Sequence, residues 1–104
     1  MTNNIVYITT KDKAEAKKIG KALVESKLAA CVNIIDGMDS IYRWEGKIHE
    51  DNEAILIAKT KETLVSLLTE KVKSIHSYSC PCIIALPILG GNEEYLKYLA
   101  SETK

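Results

Sequence analysis

The chain has 104 residues, with 14 lysines and arginines balancing 14 aspartates and glutamates; 46% of the residues are hydrophobic and 27% charged. That length sets a single domain, 1–104, around one modest core and leaves no room for a second domain or a large buried cofactor. A formal net charge of zero argues against a nucleic-acid module, which needs a basic face, and leaves little long-range repulsion between copies of the chain.

Ile5 to Thr9 is β-branched and aromatic and predicts a buried first strand. Asp12 stands three residues before Glu15, a capping-box spacing that opens a helix over Lys13 to Ser26. Ala16, Ile19, Gly20 and Leu23 fall at helical spacing there, with lysines on the other face. Leu28 to Ile35 is apolar and predicts a second strand. Asp36-Gly37 marks a turn or bulge, and Ser40 to Trp44 alternates again. Glu45-Gly46-Lys47 predicts a tight turn. The chain then returns from Ile48 through the acidic Glu50-Asp51-Asn52-Glu53 to Ile55, Leu56, Ile57 and Ala58. Thr60 is the expected cap of a second helix, with Leu64, Leu67, Leu68, Val72 and Ile75 on one face. Ile83 to Leu86 is a further strand, closed by Pro87, and Tyr95, Leu96 and Leu99 predict a short final helix. Two strand–helix–strand units side by side make a ferredoxin-like α+β sandwich, βαββαβ plus a C-terminal helix.

The central hairpin is too long for that sandwich. Arms of about 15 residues reach ~50 Å at ~3.3 Å per residue, whereas a domain of this size has a radius of gyration of only ~13 Å. The ribbon should overhang its own core and expose Ile41, Tyr42, Trp44 and Ile48. Laying it on copies of the same chain is the simplest remedy, so a closed homo-oligomer is expected. The alternative is that Asp36-Gly37 folds the hairpin back on its own sheet.

Three cysteines, Cys31, Cys80 and Cys82, cannot all pair within one chain, which favours a reducing compartment. The start shows no signal-peptide pattern, and the apolar run from Cys82 to Leu89 falls far short of the roughly 20 residues needed to span a bilayer. A cytoplasmic protein with no membrane partner is therefore expected. His76, Cys80 and Cys82 are the best candidates for a metal site. Residues two apart in an extended segment point the same way, and sulfur with imidazole suits Cu(I) and Zn(II). Cys31, among Ala29, Ala30 and Val32, reads as a buried filler, and His49 beside Glu50 and Asp51 as part of a solvated polar loop. Trp44 reads either as an anchor of contact between copies or as the wall of an intersubunit pocket with Tyr42, Glu45, Lys59 and Tyr78.

Collinear segments resemble the CutA divalent-cation-tolerance family. They are Leu28-Ala29-Ala30-Cys31-Val32-Asn33-Ile34, Ser40-Ile41-Tyr42-Arg43-Trp44-Glu45-Gly46-Lys47, Lys59-Thr60, His76-Ser77-Tyr78 before Pro81, and Ile84-Ala85-Leu86-Pro87-Ile88. The resemblance implies a homotrimer, a role linked to copper and other divalent cations, no organic cofactor and no enzymatic reaction. A metal, if bound, is weakly held. The sequence departs from the family pattern at Ser77, Ser79 and Cys82, where members commonly carry a proline and two acidic residues. At Cys82 an oxygen ligand has become sulfur, which implies a softer metal preference.

Rival functions fit less well. A PII-like effector-binding trimer wants phosphate-contacting glycine-rich backbone or clustered arginine, and Arg43 is the sole arginine. An acylphosphatase-like enzyme wants an anion-cradling loop, which Thr9-Thr10-Lys11-Asp12 does not provide. A scaffold that anchors a partner protein remains compatible with the sequence.

Overall fold

The computed structural model describes residues 2–104. Its elements are β1 (Asn3–Thr10), α1 (Lys13–Glu25), β2 (Cys31–Trp44), β3 (Lys47–Lys61), a short 3-10 turn (Glu62–Leu64), α2 (Val65–Ile75), β4 (Ile83–Ile88) and α3 (Glu93–Ser101). The strands form one antiparallel sheet in the order β2-β3-β1-β4, the expected ferredoxin-like arrangement. Alternation along the strands turns Val6, Ile8, Leu56 and Ala58 towards α1 and α2, where Ile19, Leu23, Leu68 and Val72 meet them in a fully buried core. The opposite face carries Ile35, Ile84 and Leu86, each more than half exposed. There α3 is tied to the sheet by the Tyr98 hydroxyl donating to the Ala30 carbonyl (3.2 Å).

The hairpin runs as expected past the rest of the sheet. β3 pairs with β1 only from Ala54 to Lys61. Beyond it, from Met38↔Glu53 to Trp44↔Lys47, β2 and β3 pair only with each other. The ribbon stretches the molecule to 44 × 24 × 22 Å. Asp36-Gly37 makes a bulge rather than a fold-back, with Gly37 at φ 73° and the register shifting between Ile35 and Met38. Glu45 (φ 49°) and Gly46 (φ 77°) form a two-residue turn in the left-handed region, which matches the twist of the flanking strands.

Four local expectations are corrected. The apolar run at Leu28 does not start a strand. Lys27 turns left-handed (φ 59°), and the N–H groups of Leu28 and Ala29 both donate to the Leu23 carbonyl, closing α1 and burying Leu28 and Ala29 as a core loop. Thr60 caps no helix; it is buried inside β3 opposite Asn4, and α2 begins after Leu64 without a side-chain cap. Leu67 leaves the apolar face and is 56% exposed. Pro87 lies within β4 rather than ending it; as an outer strand of the sheet, β4 tolerates a residue with no N–H.

Gly20 sets the spacing between α1 and the sheet. A Cβ there would stand 2.9 Å from Val32 Cγ2 and 3.3 Å from Leu56 Cδ1. Helix propensity favours Gly20→Ala by up to ~1 kcal/mol, but overpacking against a stiff β-branched neighbour costs ~1–3 kcal/mol. The variant should therefore be less stable by about 1 kcal/mol, read as a lower urea midpoint. An unchanged or higher midpoint would contradict this close packing.

Candidate functional site

The loop 76–82 between α2 and β4 is held by two side chains. His76 Nε2 lies 2.8 Å from the Thr9 carbonyl oxygen, and Nδ1 accepts the Tyr78 N–H (3.0 Å). These partners assign the ring hydrogen to Nε2. Glu15, near the start of α1, completes the anchor. Its N–H donates to the Asp12 carboxylate (2.8 Å), its Oε1 accepts the Lys11 N–H (3.0 Å) and its Oε2 accepts the Ser77 N–H (2.8 Å). Half of the expected capping box is thus present: Asp12 caps the Glu15 N–H, but the glutamate takes the Lys11 N–H instead of Asp12's own and spends its other oxygen on the distant loop. Burial pushes the Glu15 carboxyl up; hydrogen bonds from Ser77 and Lys11 outweigh it and leave the carboxyl below the usual carboxylate range.

The anchored loop faces the inner side of the ribbon across a groove of about 650 Å³. Tyr7, Tyr42, Trp44 and Tyr78 line it, with Met38, Glu53, Cys80 and Cys82. The turn register explains the ribbon's share. Strand alternation puts Met38, Tyr42 and Trp44 on one face, and Tyr42↔His49 and Met38↔Glu53 pair across it. The Tyr42 ring stacks on His49 at 5.3 Å, and its hydroxyl donates to Asp51. The Tyr78 hydroxyl donates to Glu53 Oε2 (2.7 Å), joining loop to ribbon. Burial, and then that bond to Glu53, push the Tyr78 phenol up, so it remains a donor across the neutral range. Burial also raises the Cys82 thiol.

The structure brings together part of each expected site set. Tyr42, Trp44, Tyr78, Cys80 and Cys82 share the groove. His76 does not join Cys80 and Cys82, because both its ring nitrogens serve the backbone. Among the described residues, no three of His, Cys, Asp and Glu come close enough to hold a metal ion. Glu45 sits exposed in the turn, outside the groove lining. Lys59 lies near α3, donating to the Tyr95 hydroxyl (3.1 Å) with its ammonium 5.3 Å from that ring's centroid. Cys31 is only half-buried, 4.0 Å from the Lys59 ammonium, and His49 lies within β3 rather than in a loop. Sequence reasoning missed Tyr7, Met38 and Glu53 as groove residues, and Glu15 as the loop's anchor.

An antiparallel α+β sandwich with an overhanging ribbon and an aromatic groove beneath it defines a ferredoxin-like domain with a ligand-sized recess and exposed strand edges. Residues 4–102 match the family model described as CutA1 divalent ion tolerance protein, and the chain belongs to that family. It is 50% identical over 99 residues to the divalent-cation tolerance protein CutA of Thermus thermophilus, covering 95% of this chain and 96% of that one. It is 46% identical over 100 residues to the chloroplastic protein CutA of Arabidopsis thaliana, covering 96% of this chain but 55% of that protein. The chain thus spans about half the length of its plant relatives. The solved structure of the Thermus thermophilus divalent cation tolerance protein superposes with a TM-score of 0.96 at 48% identity, covering 98% and 99% of the two chains. CutA1 from Oryza sativa superposes at 0.97 with 46% identity, covering 100% and 95%. The Thermus thermophilus protein is named for divalent-cation tolerance. Among the described residues, no helix is long and apolar enough to cross a membrane.

The Glu15 anchor is testable through pH. Its folded carboxyl titrates below the ordinary 4.5, so the stabilisation is present above that value and lost as pH falls through the lower folded one. Glu15→Gln should cost ~1–3 kcal/mol at pH 7, and the gap to the parent should narrow steadily below pH ~4.5. Urea midpoints across pH measure it; a gap that stays constant down to strong acid would contradict the assignment.

Proposed function

We propose that the chain is a non-enzymatic subunit of a homotrimer serving tolerance to divalent cations, copper among them, and that it binds a metal ion or small ligand in the groove near subunit contacts. The observation that carries this is the overhanging ribbon. Its inner aromatics wall the groove, while Ile41 (72% exposed), which borders the groove, and Ile48 (64%) stay largely uncovered in a single chain. The apolar sheet face with Ile35, Ile84 and Leu86 supports the same reading. The number three rests on the family resemblance; the overhang supports only more than one copy. A cytoplasmic or similarly reducing setting is supported by three unpaired cysteines, although relatives are named as chloroplastic and, for Archaeoglobus fulgidus, periplasmic.

For a metal, the groove offers a soft pair, Cys80 and Cys82, and among the described residues no third His, Cys, Asp or Glu joins them. Thiolates suit Cu(I), whereas a closed Zn(II) site needs four ligands. Burial raises the Cys82 thiol, and metal binding there would release its proton to solvent. Reduced protein titrated with Cu(I) and with Zn(II) should prefer Cu(I), and Cys80→Ser with Cys82→Ser should abolish that preference. Equal affinity in parent and double variant would remove the cysteines from the proposal.

Assembly is tested separately. Trp44 is 46% exposed in one chain, and Trp44→Ala should weaken association by ~2–4 kcal/mol on the scale of interface hot spots. Sedimentation of a dilution series reads this; a variant that stays assembled at the same low concentration as the parent would contradict the anchor role.

A further inference from the structure

We propose that the groove under the ribbon receives a small organic cation of the methylated or quaternary ammonium class; this rests on the reading of the groove as a ligand site and adds the ligand's chemistry. Three observations point there. First, four aromatic side chains, Tyr7, Tyr42, Trp44 and Tyr78, share one recess of about 650 Å³. Aromatic faces carry negative potential and hold weakly hydrated cations, and tryptophan does so best. Second, the charged residues that line the recess, Asp39 and Glu53, are both acidic, and among the described residues no lysine, arginine or histidine lines it.

Third, Glu53 is a buried carboxylate without a counter-ion. It is 9% exposed, and its one hydrogen bond among the described residues comes from the Tyr78 hydroxyl to Oε2 (2.7 Å). No cationic side chain among the described residues lies within ion-pair distance of it. A buried charge is costly unless paired, and a ligand cation in the aromatic recess supplies the missing partner. A tightly hydrated metal ion is the poorer match for this end of the groove. No three of His, Cys, Asp and Glu converge to replace its water shell, whereas an alkylammonium gives up little hydration to enter an apolar, aromatic site.

The test uses the full chain in its native assembled form, with tetramethylammonium chloride as probe. Sodium chloride at equal ionic strength and tert-butyl alcohol, an uncharged branched compound, are the controls. Fluorescence of Trp44, the sole tryptophan, reports occupancy, and calorimetry gives affinity. Saturable binding of tetramethylammonium, at least tenfold tighter than tert-butyl alcohol, is expected. Glu53→Gln keeps an acceptor for Tyr78, and should weaken the cation about tenfold or more while leaving the alcohol unchanged. Because Glu53→Gln could also loosen the fold, Tyr7→Leu provides a second reading: it removes one aromatic face and should weaken the cation several-fold. Absence of saturable binding overturns the proposal, as when a second copy already fills the recess. Equal binding of cation and alcohol, or unchanged affinity in both variants, also overturns it. Cu(I) titration of the same samples separates the failures: Cys80- and Cys82-dependent uptake without ammonium binding keeps the groove as a metal site and removes only the organic cation.

Discussion

Between Met38↔Glu53 and Trp44↔Lys47 the two strands of the hairpin have only each other. A two-stranded ribbon is marginal on its own in water, and this one leaves outer backbone groups and apolar side chains uncovered. Two local devices fix its shape. The Asp36-Gly37 bulge sets the bend where the ribbon leaves the sheet, and the left-handed pair Glu45 and Gly46 sets the register at its tip. The groove exists because that ribbon projects beyond β1, and the exposure of Ile41 and Ile48 has the same cause. Groove and exposed ribbon side chains both follow from one overhang.

The recess also needs its opposite wall. Residues 76–82 are irregular and would be mobile without anchors, yet they carry Tyr78, Cys80 and Cys82 into the site. Glu15 and His76 fasten the loop to the start of α1 and the end of β1, and Tyr78 fastens it to Glu53 on the ribbon. The imidazole is spent on this structural task, which explains why it does not serve as a metal ligand with the neighbouring cysteines. The same polar groups that shape the wall leave Glu53 facing an aromatic space with no cationic partner among the described residues.

Much of this was legible from residue patterns. β-branched and apolar runs located the strands and helical spacing the α-helices, although the short 3-10 turn at Glu62–Leu64 went unread. The hairpin's excess length was legible by arithmetic alone. Errors fell where local chemistry admits two outcomes. Thr60 suits a helix cap as well as a strand, and the continuation of β3 opposite Asn4 decided between them. Leu28 and Ala29 are apolar enough for a strand, but the backbone bonds closing α1 claimed them for the core. Tyr42 and Trp44 stood out because aromatics at an exposed hairpin tip are unusual, and the family resemblance ran through Tyr78 as well. Glu53 looked like one of several solvated acids; only the register set by the turn places it opposite Met38, inside the groove. Glu15 and His76 lie far apart in sequence, and no spacing rule brings them to one loop.

Hydrogen exchange of the ribbon tests the central claim most directly. Amides of residues 38–53 should be protected in concentrated, assembled protein and should lose that protection on dilution as the assembly dissociates, while β1 and the Ala54–Lys61 stretch of β3 stay protected by their own sheet. A ribbon that remains equally protected in a dilute, well-folded single chain would contradict the account, because the overhang would then need no second copy.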